Sequence, residues 1–283
     1  MYKGGLWAMT AILLRRLLKQ PKLYLVLLLI GSVLDGDSGG ARQLFADYQV
    51  RVNGFGLFAC TTSYSFLLLW MTIGFLVLIS DIPFFTPMEQ FTCVRLPAQT
   101  AMAARAIYAL ILSIGYAVLM WLMSTVIAGG TLMAPSSWDK ALNTMSLGQP
   151  VGNVLIHAPR VIISQLSPLL AWTKALVSMI AVLWAVGLTA LFLSTIMPKK
   201  FVLCLIGILS TLDFAINYMG MRAFLFYISP FSWCRLEYQL TASQGTERPG
   251  ELYCWLAPCL LSPSTFSISC SFPLGLRDRK SVV

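Results

Sequence analysis

An all-α integral membrane protein is the fold class this sequence predicts, with six membrane-spanning helices, an N-terminal amphipathic interfacial helix and both termini cytosolic. Three observations predict it. The composition is 58% hydrophobic and 11% charged, against about 25% charged residues in an ordinary soluble domain, and the mean hydropathy is +0.77. Apolar runs close to the length of a bilayer crossing recur along the chain. Basic residues are spread unevenly over the intervening loops. So much apolar surface with so few charges excludes a soluble enzyme, a nucleic-acid-binding domain and a disordered chain. The net charge of +9 is therefore orientation charge rather than a polyanion signal. Residues 1–283 form one transmembrane domain.

The elements are taken from the N-terminus. Gly5–Gln20 places Leu6, Met9, Leu13, Leu14 and Leu17 at helical spacing and gathers Arg15, Arg16 and Lys19 toward its end. That pattern is a basic amphipathic helix able to lie in the interface, the alternative being a plain cytosolic lead-in. Pro21 breaks it from the first span. The spans are Leu23–Leu34, Thr62–Ser80, Ala106–Ala128, Ala175–Met197, Phe201–Met219 and Leu252–Phe272. The first is short and is lengthened by snorkelling Lys19 and Lys22. A signal-peptide core is the alternative for it, but no A-x-A-like site comes after it and five more spans do. Serines, Pro258 and Pro263 make the last a kinked or weakly inserting helix.

Charge sets the orientation. With a cytosolic N-terminus, the cytosolic side holds twelve basic residues against Asp81, Glu89 and Asp278, a balance of +9, while the outer side holds a balance of +1. The outer connections are long, about 27, 46 and 32 residues. The cytosolic ones are Asp81–Arg105 and Pro198–Lys200.

The first cytosolic connection carries a motif. Thr86 with Glu89 forms a capping box, Pro87 stands at the first helical position and Pro97 ends the segment. A separate helix of about two turns results, with Met88, Phe91 and Val94 on one side and Arg95 at its end. Its apolar side fits a groove on a partner, or else lies on lipid or on its own bundle.

The run Ser80-Asp81-Ile82-Pro83-Phe84-Phe85, then Glu89-Gln90-Phe91 and Val94-Arg95, lies between the second and third spans. Together with the order of elements, it resembles the membrane subunits of type-2 ATP-binding cassette (ABC) exporters, in particular the small permease-like proteins of Gram-positive bacteria. Tyr227-Ile228-Ser229-Pro230-Phe231-Ser232-Trp233 is similar to that family's outer re-entrant region. The resemblance covers the whole chain as architecture, and the last span is less apolar than the family's usual helix. It implies that Thr86–Leu96 is a coupling helix docking on an ATPase subunit, with Thr86, Met88, Glu89, Phe91 and Arg95 as contacts. It also implies that Gly5–Gln20 is the connecting helix on the inner leaflet and that Met221–Gln239 forms part of an outer gate.

The chain has no G-x-x-x-x-G-K-[ST] loop, so it is not itself an ATPase. ATP and Mg belong to the partner, and this chain is expected to bind no cofactor or metal and to hold no catalytic residue. A six-span half lacks a second wall for a pathway, so a homodimer or a paired permease is expected. The remaining partner is the lipid bilayer, and no nucleic acid is implied. The alternative function is a non-transporting polytopic interaction protein, an immunity or sensor component. A polytopic membrane enzyme is disfavoured, since no span carries paired acids, H-E-x-x-H or a Ser/Lys dyad.

Several residues need a bland alternative beside the functional one. Asp213 is the acid placed inside a span, where a carboxylate is expensive and functional by default. Asn217 stands at i+4, and the pair would line a polar path or bind a cation. Alternatively, Asp213 reaches interfacial water or pairs with Lys174 or Arg222. Gly36-Asp37-Ser38-Gly39-Gly40 spells a serine-protease motif, but the single His157 lies after it and a membrane anchor before it, so turn chemistry explains it. His157 reads as an outer-loop residue without metal partners, and Val151–Leu166 as a bent surface helix interrupted by Pro159. Seven cysteines without C-x-x-C spacing read as small apolar residues. Trp70, Trp121, Trp172, Trp184 and Trp255 include interfacial anchors.

Overall fold

A computed structural model describes residues 3–49, 51–80, 98–132, 137–148, 158–219 and 229–244. Contacts divide the chain into Met1–Thr241 and Ala242–Val283, and the first of these units holds the helical bundle. Among the described residues the protein is all-helical, with one isolated parallel bridge between Asn53 and Thr131. The expected coupling helix 86–96, with Thr86, Met88, Glu89, Phe91 and Arg95, lies outside the described residues. So do the sixth span 252–272 and His157.

Helix α1 is Lys3–Leu18 and α2 is Pro21–Tyr48. The break between them is where proline belongs: Gln20 is extended and Pro21 opens α2. The two helices bend by 62° at that point. The apolar stripe expected to face the membrane instead packs on the protein. Met9 and Leu17 are buried, Leu13 and Leu14 pack against the core, and the Thr10 hydroxyl donates to the Ala104 carbonyl at 3.4 Å. Helix α2 is more than twice the expected first span, because the Gly- and Asp-containing segment after Leu34 continues the helix instead of turning. It ends at Gln49, which is left-handed (φ 54°) and donates its N–H to Phe45 O at 3.0 Å. Lys22, expected to snorkel, donates to Ser80 Oγ at 3.4 Å.

The second expected span is broken. Helix α3, Gly54–Thr61, is buried throughout, and α4 is Ser65–Ile79. They meet at 88°. A buried helix end exposes four carbonyls that must find donors, and here each does. Thr62 N donates to Phe58 O, Ser63 N to Cys60 O and Tyr64 N to Thr61 O, at 3.0, 3.0 and 3.1 Å. Ala59 O accepts from both Thr62 Oγ1 and Ser63 Oγ, at 3.1 and 3.0 Å. The Thr-Thr-Ser run thus permits the sharp turn.

Helix α5, Ala98–Ile127, and α8, Pro168–Leu193, pack on each other as the central pair. They begin eight and seven residues before their expected starts, and α8 stops four before its expected end. Between them come α6, Lys140–Ser146, and α7, Arg160–Gln165, the latter starting only after Pro159. Helix α7 buries Ile162 and Ile163, so this end of the expected surface helix 151–166 is packed inward. Helix α9, Lys199–Met219, covers the expected fifth span, Phe201–Met219, and leans on α4 and, more lightly, α8. A 3-10 turn, Pro230–Cys234, and α10, Leu236–Gln244, complete the described chain.

Small residues let the central helices approach. A side chain on Gly187 of α8 would come 2.8 Å from Ile79 Cδ1 and 3.3 Å from Ala109 Cβ. Two bonds between helices satisfy polar tips inside the apolar core: Tyr116 donates to Met71 O, and Trp184 Nε1 to Ala106 O at 3.2 Å. Among the described residues two helices, Thr100–Ile127 and Pro168–Leu193, are long and apolar enough to cross a bilayer. The bent pairs Trp7–Leu18 with Pro21–Gly36 and Gly54–Thr61 with Ser65–Ile79 raise this to as many as four. The fold is thus compatible with a membrane protein of two to four such crossings.

Candidate functional site

Asp213 is the buried acid around which a polar cluster forms. It sits near the end of α9, where the helix carries it inward while Thr211 and Tyr218 face out. Asp213 is 2% exposed and Arg235 is 4% exposed. Ser232 Oγ donates to Asp213 Oδ1 at 2.6 Å, and Arg235 Nη1 lies 3.9 Å from Asp213 Oδ2. The second contact is an ion pair without a direct hydrogen bond. Arg235 also pairs through Nη2 with Glu237, and its guanidinium lies over the Tyr238 ring, 4.4 Å from the centroid. One arginine is therefore shared between two carboxylates and an aromatic face.

The local sequence explains why these groups converge. Pro230 starts the 3-10 turn after extended Ser229, and Ser232 and Arg235 leave that turn three residues apart. Phe231, Cys234 and Leu236 are buried, so the turn is anchored by its apolar residues between α8 and α9. Gln239 closes the segment by donating to Trp233 O at 2.5 Å. Asp213 thus pairs with Arg235 rather than with Lys174, one of the two cations the sequence offers it; the other, Arg222, lies outside the described residues. Asn217 is one turn further along α9, with its side chain outside the described set.

The first turns of α8 hold a second arrangement, which the sequence pattern does not reveal. Phe55 of α3, Trp121 of α5 and Trp172 of α8 pack with centroids 5.2, 5.0 and 5.0 Å apart. The start of α3 is fastened from outside the helix. Asn53 caps it, accepting from Phe55 N at 2.9 Å, and Gly54 N donates to Thr131 O at 3.0 Å. Asn53 N in turn donates to Asp139 Oδ2 at 2.6 Å. Burial pushes the Asp139 carboxyl above its ordinary value, and the Asn53 N–H draws it partly back. Trp138 Nε1 donates to Leu166 O at 2.7 Å, tying the same loop to α7. The signal for α3 is present in Asn53 and the eight largely apolar residues after it, but a run too short for a span reads as loop.

The cluster binds chain segments to each other. Among the described residues no group of three or more His, Cys, Asp or Glu side chains could hold a metal. Asp213, Ser232 and Arg235 couple α9 to the segment after it by a charged contact in an apolar bundle. Opening that contact requires separating buried charges.

Compared with protein-family models, with curated proteins and with solved structures, the chain matches none.

Proposed function

We propose that this chain is the membrane-spanning subunit of an ATP-driven exporter of the type-2 ABC class. In this reading it is a multi-pass protein of a bacterial cell membrane, with six spans and both termini cytosolic. It forms the substrate pathway and couples through Thr86–Leu96 to a separate ATPase subunit that binds ATP and Mg, and it works as a homodimer or with a paired permease.

The observation that carries the proposal is the buried link from Asp213 to Ser232 and Arg235. It joins an apolar helix to the segment that resembles the family's outer re-entrant region. A buried ionic contact at such a junction is costly as a mere support and useful as a contact that opens and closes. The bent, hydrogen-bonded pair α3–α4 and the close α4–α5–α8 packing supply a wall against which α9 and the turn can move.

The test is purification of the full chain from its native membranes. An ATP-hydrolysing subunit is expected to co-purify, and Glu89→Ala with Arg95→Ala is expected to release it. Asp213→Asn is expected to lower ATP-dependent efflux while the complex stays assembled. Absence of any ATPase activity in the purified sample would defeat the proposal, and unchanged efflux in Asp213→Asn would remove Asp213 from the pathway.

A further inference from the structure

Residues 1–34 contain Lys3, Arg15, Arg16, Lys19 and Lys22 and no acidic residue at all. Because α1 turns Met9, Thr10 and Leu17 into the protein, its other face is the one left outward. Arg15 and Lys19 are exposed on that face. Trp7, Ile12 and Leu18 are exposed beside them, at 62%, 61% and 57%. Helical spacing arranges these groups: Trp7, Ala11 and Leu18 run along one edge, Ala8 and Arg15 along the middle, and Ile12 along the other edge. Past the 62° bend, the first turns of α2 continue the apolar surface with Tyr24, Leu25 and Leu28, all exposed.

The geometry points to a binding surface for anionic phospholipid on this face. Arg15 and Lys19 take the headgroup phosphate, Trp7 sits at headgroup level, and Leu25 and Leu28 lie along the acyl chains. Charge complementarity identifies the occupant. A surface that only needed to meet hydrocarbon would not centre on a cation, and a surface for solvent would not flank cations with Trp7, Ile12 and Leu18. Basic groups at a helix end do favour the carbonyl dipole, as Arg15 and Arg16 in the last turn would. That effect accounts for their position along the helix but not for the exposed apolar residues around them. Each basic side chain near an anionic leaflet adds attraction that salt screens. The inference rests on the membrane reading of the fold and not on transport, so its test needs neither ATP nor substrate.

The full-length protein is reconstituted in phosphatidylcholine vesicles containing equal mole fractions of either brominated phosphatidylglycerol or brominated phosphatidylcholine. Subtracting the fluorescence of Trp7→Phe from that of the wild type isolates Trp7. Several-fold stronger quenching of Trp7 by the brominated phosphatidylglycerol is expected at low salt, fading as salt is raised. The double variant Arg15→Gln/Lys19→Gln is expected to bring that preference close to one, with little change in melting temperature because both side chains are exposed. Equal quenching by the two lipids, or a preference that survives the double substitution, would overturn the assignment.

Discussion

Ser232 donates its hydroxyl to the Asp213 carboxylate at 2.6 Å across nineteen residues of chain. The acid is thereby held on one oxygen by a neutral donor and faced on the other by the Arg235 guanidinium at 3.9 Å. Removing the cation and removing the acid therefore have unequal consequences. Arg235→Gln leaves a buried carboxylate without a counter-charge and is expected to cost about 3–5 kcal/mol. Asp213→Asn keeps an acceptor for Ser232 and leaves Arg235 paired with Glu237, so about 1–3 kcal/mol is expected. The double variant should cost clearly less than the two together. Thermal unfolding of the four proteins in detergent measures the coupling, and strict additivity would show that the pair does not interact.

The turn between α3 and α4 depends on hydroxyls. Thr62→Val with Ser63→Ala removes both side-chain donors to Ala59 O and leaves that buried carbonyl without them. A loss of about 1–3 kcal/mol is expected from a buried acceptor left unsatisfied. Cys60, buried in the last turn of α3, should then react faster with a small maleimide, read by mass spectrometry of its peptide. Unchanged labelling would mean that the turn is held by packing alone.

Close approach at Gly187 gives a steric test. Gly187→Ala drives a methyl to 2.8 Å from Ile79 Cδ1, and overpacking of this kind costs about 1–3 kcal/mol. Because the obstructing atom is the tip of a side chain, Ile79→Val in the same protein should recover part of the lost melting temperature. No recovery would place the clash on the Ala109 side, where the methyl would stand 3.3 Å from Cβ.

Asp139 adds a pH dependence. Its carboxyl is raised by burial, so the folded protein holds the proton to a higher pH than the unfolded chain does. The stability this group contributes is present below the ordinary carboxylate value and is lost as pH rises through the raised one. Asp139→Asn cannot ionise and keeps an oxygen for the Asn53 N–H. The melting temperature of the variant relative to wild type should therefore climb as pH rises from the ordinary carboxylate range, about 4, through the raised one. A difference that stays flat over this range would contradict the assignment of burial as the dominant cause.

Legibility in the sequence tracks the distance over which each signal acts. Helices α5 and α8 declare themselves through long apolar runs, and Pro21 marks its own break. Their ends are harder to place because Arg105 and Lys174 look like boundaries, whereas Arg105 is buried within α5 and Lys174 is carried along α8. Helix α3 escapes a sequence reading because eight buried residues cannot be told from a loop without the Thr131 and Asp139 contacts that fasten its start. Asp213 is recognisable as an anomaly within its helix. Its partner is not, since Arg235 stands in an irregular segment and counts by sequence among the outer-loop charges. On α1 the periodicity is plain, but a period alone does not say whether the apolar face meets lipid or protein.

The fold-back at Thr62–Tyr64 leaves α4 with fifteen residues, or about 22 Å of helix. Its neighbours α5 and α8 have 30 and 26 residues, about 45 and 39 Å. A hydrocarbon layer of about 30 Å does not fit both. Set in a bilayer, the largely buried α4 would be too short to cross alone, so the bend that joins it to α3 would lie within the layer while α5 and α8 reach past it on either side.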